Sequence, residues 1–269
     1  MLKHILILTI SFHCAFGGLW SDLKVTWGIN PLNSQYFQSV PITEQDAIKS
    51  GWTLESDCSK TNGRRYSKDK DRSVLLVFDA SGAMAAIASA VPKNLPFNFP
   101  SVTLKPYLQD EGDSYVITAY FVDPKTVCTS STKPAASYGD RVVIQGQSKQ
   151  AVLPLDQKDA ESSSFWTKGH CFYTMGVHFW SDAKSVPITV DMSSDDFFPL
   201  CLLYNGGKLN GFCFAFNAGL TSPRYEHPEP NQISSFINPV PKFFSDPTKS
   251  KGLSTIHVYF TSNPRFNFC

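Results

Sequence analysis

The sequence predicts an α+β protein, mostly antiparallel β, that contains one structural unit twice and is stabilised by disulfides. The run V-P-I-T-E-Q-D-A from Val40 returns in similar form as L-P-L-D-Q-K-D-A from Leu153. Cys58 and Cys171 follow these runs and lie 113 residues apart. Apolar runs that break at Asp or Asn with Gly recur in both parts, which is typical of β-hairpins. A repeat of this length indicates two pseudo-symmetric halves.

Each unit is expected to contain a strand, a short helix, a hairpin and a closing strand. Thr43 can cap a helix over 44–50, and Asp156 can cap one over 157–162. Two such units commonly pack their sheets face to face or pair them edge to edge. The apolar runs predict strands at 23–27, 74–78, 83–90, 115–122, 141–145, 176–180, 188–190, 200–204, 209–216 and 255–261.

The repeat also predicts the domain boundaries and indicates which half is functional. The second unit is longer, with additional residues at 181–198 and 220–250. Because binding residues tend to lie in loops, we expect the second unit to be the functional half. The predicted segments are a signal peptide at 1–17, a first repeat unit at 18–130, a linker at 131–139 and a second repeat unit at 140–269.

The amino terminus resembles a secretory signal. Lys3 precedes the apolar run 5–10, and Ala15 and Gly17 are the small residues expected before a cleavage site. The apolar run is too short to cross a bilayer, so we predict a secreted, extracellular protein without a transmembrane segment. A net charge of +1 without a basic cluster argues against nucleic acid as a partner.

The cysteines support an oxidising compartment. Seven are present, and Cys14 would leave with the signal peptide, so an even number remains. The repeat narrows their pairing, because one cysteine opens and one closes each unit, while the last two flank a hairpin. The predicted disulfides are Cys58–Cys128, Cys171–Cys269 and Cys201–Cys213.

The histidines give one hypothesis for a site. All those of the mature sequence lie in the second unit, and the first-unit positions matching His178 and His257 hold Arg65 and Thr118. His178, His227 and His257 could converge on a transition metal or form an acid–base site, with Glu226 as a carboxylate. Alternatively, His178 and His257 are half-buried strand residues bonded to backbone, and His227 belongs to a turn.

Aromatic residues give a second hypothesis. We predict ligand binding by Phe179, Trp180 and Tyr259. Further phenylalanines in or near the second unit's insertions could line an apolar pocket or a partner surface, or could cover a small core. These are Phe197, Phe198, Phe243 and Phe244.

Known catalytic and nucleotide-binding patterns are absent: the sequence has no GxSxG, Walker, GxGxxG, HExxH or EF-hand motif. We therefore expect a secreted binding protein for a small apolar or aromatic ligand, or for an extracellular protein. The alternative is a secreted enzyme, an oxidoreductase or hydrolase that could require a metal. It would act on a small molecule through His178 and His257.

One stretch resembles a known group of proteins. It has the form Cys171-x-x-x-Met175-Gly176-x-His178-Phe179-Trp180, followed by F-P-L-C-L-L-Y-N at 198–205 and a closing I-H-V-Y-F. The stretch is similar to a group of secreted invertebrate proteins without an assigned activity. The resemblance implies that His178 and His257 belong to a family pattern, and it implies no function.

Overall fold

The computed structural model describes residues 19–26, 36–129, 136–246 and 249–269. The predicted signal peptide at 1–17 lies outside the described residues, and so does part of the predicted linker. The remainder is mostly antiparallel β-sheet with few short helices, which confirms the predicted fold class.

The first sheet has eight strands, in the order β10-β9-β8-β6-β5-β4-β3, with β7 paired to β8. Its central strands are largely apolar and buried along most of their length, because both faces are covered by protein. Its strands are β3 (Thr53–Ser56), β4 (Arg64–Lys68), β5 (Asp71–Phe78), β6 (Met84–Pro92), β7 (Gln109–Glu111), β8 (Ser114–Tyr120), β9 (Val143–Gln145) and β10 (Gln150–Val152).

The second sheet has seven strands, in the order β11-β12-β13-β14-β15-β1-β2. It holds the additional residues of the second unit on its outer face. Its strands are β1 (Lys24–Thr26), β2 (Phe37–Ser39), β11 (Trp166–Phe172), β12 (Gly176–Ser181), β13 (Leu200–Asn205), β14 (Lys208–Phe216) and β15 (Ser254–Tyr259).

The two predicted halves exchange strands. β1 and β2 belong to the first half by sequence, yet β1 pairs with β15 of the second sheet. β9 and β10 open the second half, yet β9 pairs with β8 of the first sheet. The predicted unit boundaries therefore do not coincide with the sheet boundaries. The matching strand order is what a duplication would produce, although the duplication itself stays a prediction.

The sheets pack face to face around one apolar core. Phe179, Leu202 and Phe212 of the second sheet and Leu76 and Ile87 of the first belong to the same buried cluster. Because successive side chains of a strand point to opposite faces, the neighbours of these residues in sequence face away from the core. The outer face of the second sheet is therefore a separate surface, and its apolar residues need a cover of their own.

The insertions supply that cover. Phe197, Ile233, Phe243 and Phe244 pack with Trp180 in a second buried cluster on the outer face. The predicted strand 188–190 is absent, because this segment follows Pro187 and runs over the face as coil. The peptide N–H of Ile188 donates to the side chain of Thr167 instead of to a strand partner.

Two short helices connect the sheets. α1 (Glu44–Lys49) begins at Thr43, whose hydroxyl accepts from the peptide N–H of Asp46 at 3.2 Å, as the capping pattern predicts. α2 (Gln157–Ser162) has its predicted bounds, but Asp156 makes no side-chain cap. Asp156 instead forms an ion pair with Lys208, because the β13–β14 turn brings that lysine close.

The structure contains three disulfides, and they are the pairs that the sequence predicts: Cys58–Cys128, Cys171–Cys269 and Cys201–Cys213. Each disulfide closes within one predicted half. The disulfides therefore do not link the two halves to each other, which associate through strand exchange and the shared core. Among the residues that the structure describes, no helix is both long enough and apolar enough to cross a membrane.

Strand exchange predicts that neither half folds alone. A chain divided between Thr132 and Lys133 gives two fragments, and each lacks two strands of the sheet that it mainly forms. The unpaired edges of β8 and β15 would remain exposed. We expect no cooperative thermal transition by circular dichroism for either fragment, and a native-like transition after the two are mixed. A cooperative transition in one isolated fragment would contradict strand exchange.

Candidate functional site

The outer face of the second sheet brings two predicted residues together. His178 lies on β12 and His257 on β15, on either side of the disulfide that joins Cys201 of β13 to Cys213 of β14. His257 is the direct strand partner of Cys213, which is the direct partner of Cys201. Partners in antiparallel strands share a face, so these side chains form one row. The rings of the two histidines are 6.1 Å apart, centroid to centroid.

His178 is held as a neutral ring. It is 1% exposed, and its Nδ1 lies 3.2 Å from the carbonyl oxygen of Gly176, which fits an Nδ1–H donor. Its ring is parallel to that of Trp180, with centroids 5.9 Å apart. Burial, and next the proximity of His257, lower the pKa of His178 to about 3. A neutral imidazole in apolar surroundings is therefore part of the wall rather than a proton donor at neutral pH.

His257 lies against a buried carboxylate. Its Nδ1 is 2.6 Å from Oε2 of Glu226, an ion-pair distance, but the angles are not those of a hydrogen bond. Glu226 enters from the 220–250 insertion and exchanges backbone hydrogen bonds with Thr255 in both directions, each 2.9 Å long. The Thr255 hydroxyl donates to Oε2 at 3.2 Å. The other carboxylate oxygen, Oε1, is buried and has no hydrogen-bond partner among the described residues.

A cavity of about 580 Å³ opens beside this group. One wall comes from the second sheet, one from the 220–250 insertion and one from the segment that precedes and begins β2. Half of its sixteen lining residues carry an aromatic ring, counting His178 and His257. The aromatic lining residues, apart from the histidines, are Tyr36, Phe37, Phe172, Tyr173, Trp180 and Phe236.

Two tyrosines lie near the polar end of this cavity. Burial, the charge of Glu226 and a hydrogen-bonding contact between the Tyr36 hydroxyl and the Glu226 carboxylate raise the pKa of Tyr36, which lines the cavity. Burial and the same charge raise the pKa of Tyr259 well above its usual value. The Tyr259 hydroxyl is buried without a hydrogen-bond partner among the described residues. Both hydroxyls keep their protons at neutral pH, and the Tyr259 hydroxyl is a second unsatisfied group near Glu226.

The predicted ligand-binding residues have different positions. Trp180 lines the cavity, and its Nε1–H donates to the backbone oxygen of Phe236 at 2.9 Å. Tyr259 lies behind the lining, with its ring 5.5 Å from that of Phe37. Phe179 does not line the cavity, contrary to the prediction of ligand binding. It lies on the opposite face of β12 and packs in the core between the sheets. The alternation of strand side chains puts Phe179 out of reach of the cavity.

The predicted metal ligands are only partly together. Among the described residues, the potential ligand atoms of His178, Cys201 and His257 lie within 4.8 Å of one another. His227 is not in this group: it is exposed, and its Nδ1 lies 3.2 Å from the Ser254 hydroxyl. The disulfide occupies the sulfur of Cys201, so the group offers two imidazoles, fewer than the three protein ligands usual in catalytic zinc sites.

A transition metal stays a prediction, and elemental analysis tests it. A metal held by the described group would be stoichiometric in the wild type, would be lost in His178→Ala and His257→Ala, and would remain in His227→Ala. Equal metal content in all four proteins, or none, would contradict such a site.

The first sheet has different chemistry at the matching positions. Arg65 and Thr118 stand where the second sheet has His178 and His257, and Nη2 of Arg65 lies 3.4 Å from Oγ1 of Thr118. Arg65 is 1% exposed and pairs with the carboxylate of Glu111 and with Oε1 of Gln109. In the first sheet, β7 thus supplies partners for the buried charge. In the second sheet, Glu226 keeps one oxygen unsatisfied beside a cavity.

The sequence pattern missed several residues of the site. Tyr36 and Phe37 belong to the first half by sequence and reach the cavity only because β2 joins the second sheet. Phe236 and Arg265 also line it: Phe236 ends one short 3-10 helix, Arg265 lies in another, and neither belongs to a recognisable motif. Comparisons with protein-family models, curated proteins and solved structures found no match for this chain.

The neutral state of His178 predicts acid sensitivity. In the unfolded chain this imidazole takes up a proton below pH of about 6.5, whereas the folded protein resists protonation down to about 3. Its contribution to stability is therefore complete above pH 6.5 and is lost as the pH falls toward 3. We expect the free energy of unfolding to fall by up to about 1.4 kcal/mol per pH unit from this group alone.

Urea denaturation of wild type and His178→Phe between pH 7 and pH 4 isolates the contribution of His178 to the pH dependence of the free energy of unfolding. We expect a shallower pH dependence in the variant, because its aromatic ring does not titrate. His227→Phe, at the exposed histidine, is the matched control for loss of an imidazole. Equal slopes in wild type and His178→Phe would show that the buried ring is not the acid-sensitive group.

Proposed function

We propose that this protein binds a small, largely apolar ligand in the cavity between the second sheet and the 220–250 insertion. The observation that supports this most is the combination of a cavity of about 580 Å³ with aromatic walls and an unsatisfied carboxylate oxygen at one end. Pockets for small molecules are commonly of this size, with apolar walls and few polar groups that orient the ligand.

The walls favour binding without large rearrangement. The hydrogen bond from Trp180 to the backbone at Phe236 joins the sheet to the insertion in the wall of the cavity. The Cys171–Cys269 disulfide ties the segment that follows β15 to β11, next to Phe172 and Tyr173 of the lining. A cavity that is already shaped spends less of the binding free energy on ordering its own side chains.

The mouth of the cavity also fits a binding role. Tyr173 is 60% exposed and Phe172 is 38% exposed, so the apolar lining continues to the surface. Exposed aromatic residues that continue into a cavity are typical of a ligand entrance. The corresponding site on the first sheet has an internal ion pair instead, which supports the second half as the functional one.

We propose further that the protein works outside the cell. Three disulfides are typical of proteins that mature in an oxidising compartment. The sequence pattern of residues 1–17 supports secretion, although these residues lie outside the described part of the chain.

A second candidate function rests on the contact between His257 and Glu226. An imidazole beside a carboxylate at the edge of a cavity can transfer a proton to or from a bound molecule. His178 does not serve in this role, because its lowered pKa makes it a poor acceptor of a proton. Chemical conversion of a bound compound by the wild type, lost in His257→Ala, would favour the enzyme over the binding protein.

Blocking the mouth tests the proposed binding function. Ser235 lines the cavity, and its neighbour Ser234 does not, although both are exposed. We expect Ser235→Trp to weaken binding of the neutral fluorescent probe N-phenyl-1-naphthylamine at least tenfold, about 1.4 kcal/mol, because the indole occupies the entrance. Ser234→Trp is the matched control and should bind like the wild type.

Two outcomes would contradict the proposal. One is the absence of saturable probe binding by the wild type. The other is equal affinity in the wild type and both tryptophan variants, which would place the probe elsewhere. Mass spectrometry of solvent extracts from the purified protein should in addition show a small organic molecule that Ser235→Trp retains poorly.

A further inference from the structure

The carboxylate of Glu226 is the group at this site with the strongest demand for a partner. Glu226 is 3% exposed, and its Oε1 has no hydrogen-bond partner among the described residues. Thr255 and His257 both approach the other oxygen, Oε2. A buried acceptor without a donor destabilises the folded protein, and does so more strongly when it is charged. A bound molecule that donates to Oε1 would remove this destabilisation.

The rings around this carboxylate favour a particular kind of donor. Tyr36, Phe37, Trp180 and Phe236 line the same cavity. The faces of aromatic rings carry negative potential and attract a cation, most strongly where water is excluded. A carboxylate with aromatic walls therefore complements an ammonium group better than it complements a neutral hydroxyl or an anion.

The polar groups near Glu226 are compatible with a cation. His178 is neutral, because burial and the nearby His257 lower its pKa. The Tyr36 hydroxyl contacts the Glu226 carboxylate, and its oxygen can still accept a hydrogen bond. The Tyr259 hydroxyl is buried without a hydrogen-bond partner among the described residues, and its oxygen can accept one as well. Arg265 is an opposing charge, but it is exposed and its guanidinium lies 5.3 Å from the centre of the Phe37 ring. Water at an exposed position screens this charge more than it screens one inside the cavity.

We propose that the ligand is an apolar amine whose ammonium group pairs with Glu226 while its hydrocarbon or aryl part lies among the aromatic walls. This inference rests on the proposed function, since it names the class of molecule that the same cavity takes. An ammonium group carries three donors, so it can satisfy Oε1 of Glu226 and still donate to a second acceptor. The volume of about 580 Å³ leaves room for one or two rings beside the amine.

Three probes that share a naphthyl group, one cationic, one neutral and one anionic, test the inference. The probes are 2-(1-naphthyl)ethylamine, 2-(1-naphthyl)ethanol and 1-naphthylacetate, titrated into the full-length protein at pH 7 by isothermal calorimetry. We expect the amine to bind at least tenfold more tightly than the alcohol. The acetate should bind most weakly, because its carboxylate would meet that of Glu226.

Glu226→Gln separates charge recognition from the shape of the cavity. The amide keeps the size of the side chain and removes its charge. We expect the amine to lose at least tenfold in affinity, and the alcohol to change by less than about threefold, which also shows that the cavity remains folded. Glu161→Gln, on the exposed surface of α2 and outside the cavity lining, is the matched control and should leave all three affinities unchanged.

The possible outcomes distinguish failure of the proposed function from failure of the inference about amines. If none of the three probes binds the wild type, the proposed function fails. If the alcohol or the acetate binds as tightly as the amine, the cavity binds apolar molecules but the inference about amines is overturned. If the amine is preferred and Glu226→Gln keeps that preference, the charge recognition does not depend on Glu226, and the inference is likewise overturned. Should Glu226→Gln fail to fold, the wild-type series alone decides.

Discussion

The second sheet is apolar on both faces, and the rest of the structure follows from the need to cover both. Its inner face, with Phe179, Leu202 and Phe212, packs on the first sheet. Its outer face, with Trp180 and Leu203, is covered mainly by the chain segments inserted after β12 and β14, together with Phe37 of β2. Burial of apolar side chains supplies most of the free energy of folding, so neither face could stay open. The insertions cover the outer face incompletely, and the cavity lies where their cover ends.

The outer faces of the two sheets differ in how their buried ionisable groups are compensated. In the first sheet, Arg65 pairs with Glu111, so the cost of burying the guanidinium is offset within the chain. In the second sheet, His178 avoids that cost by staying neutral. Glu226 remains buried with one oxygen unsatisfied. Unsatisfied buried charges are rare in folded proteins, and the ligand that we propose would supply the missing partner.

Strand exchange links the site to the whole chain. Tyr36 and Phe37 complete the cavity from a segment more than a hundred residues before the histidines. β1 and β2 bring this segment to the second sheet, while Arg224 and Ser222 tie the start of the 220–250 insertion to Asp71 of the first. Both sheets therefore position the walls of one cavity, which supports a cavity that keeps its shape before a ligand arrives.

By itself, the sequence determined the elements with strong local signals. Hydrophobic runs predict β5, β6, β8, β13, β14 and β15 within a few residues, and Thr43 caps α1 as its spacing requires. Cysteine positions predict the three disulfides that the structure contains, and the histidine pattern predicts that His178 and His257 belong to one site. These features depend on periodicity, spacing and local hydrogen bonds, which neighbouring residues encode.

Only the tertiary structure decided the features that depend on distant partners. β4 contains Arg64 and Arg65 and has no apolar pattern that would predict a strand. It can form a strand in the sheet because Glu44 and Glu111, from elsewhere in the chain, pair with these two charges. The exchange of β1 and β2 into the second sheet, the orientation of Phe179 toward the core and the exposed position of His227 have no local pattern either. The surroundings of Glu226 also depend on distant residues. Thr255, His257 and the aromatic walls contact or approach its carboxylate only after both sheets and the insertions have packed.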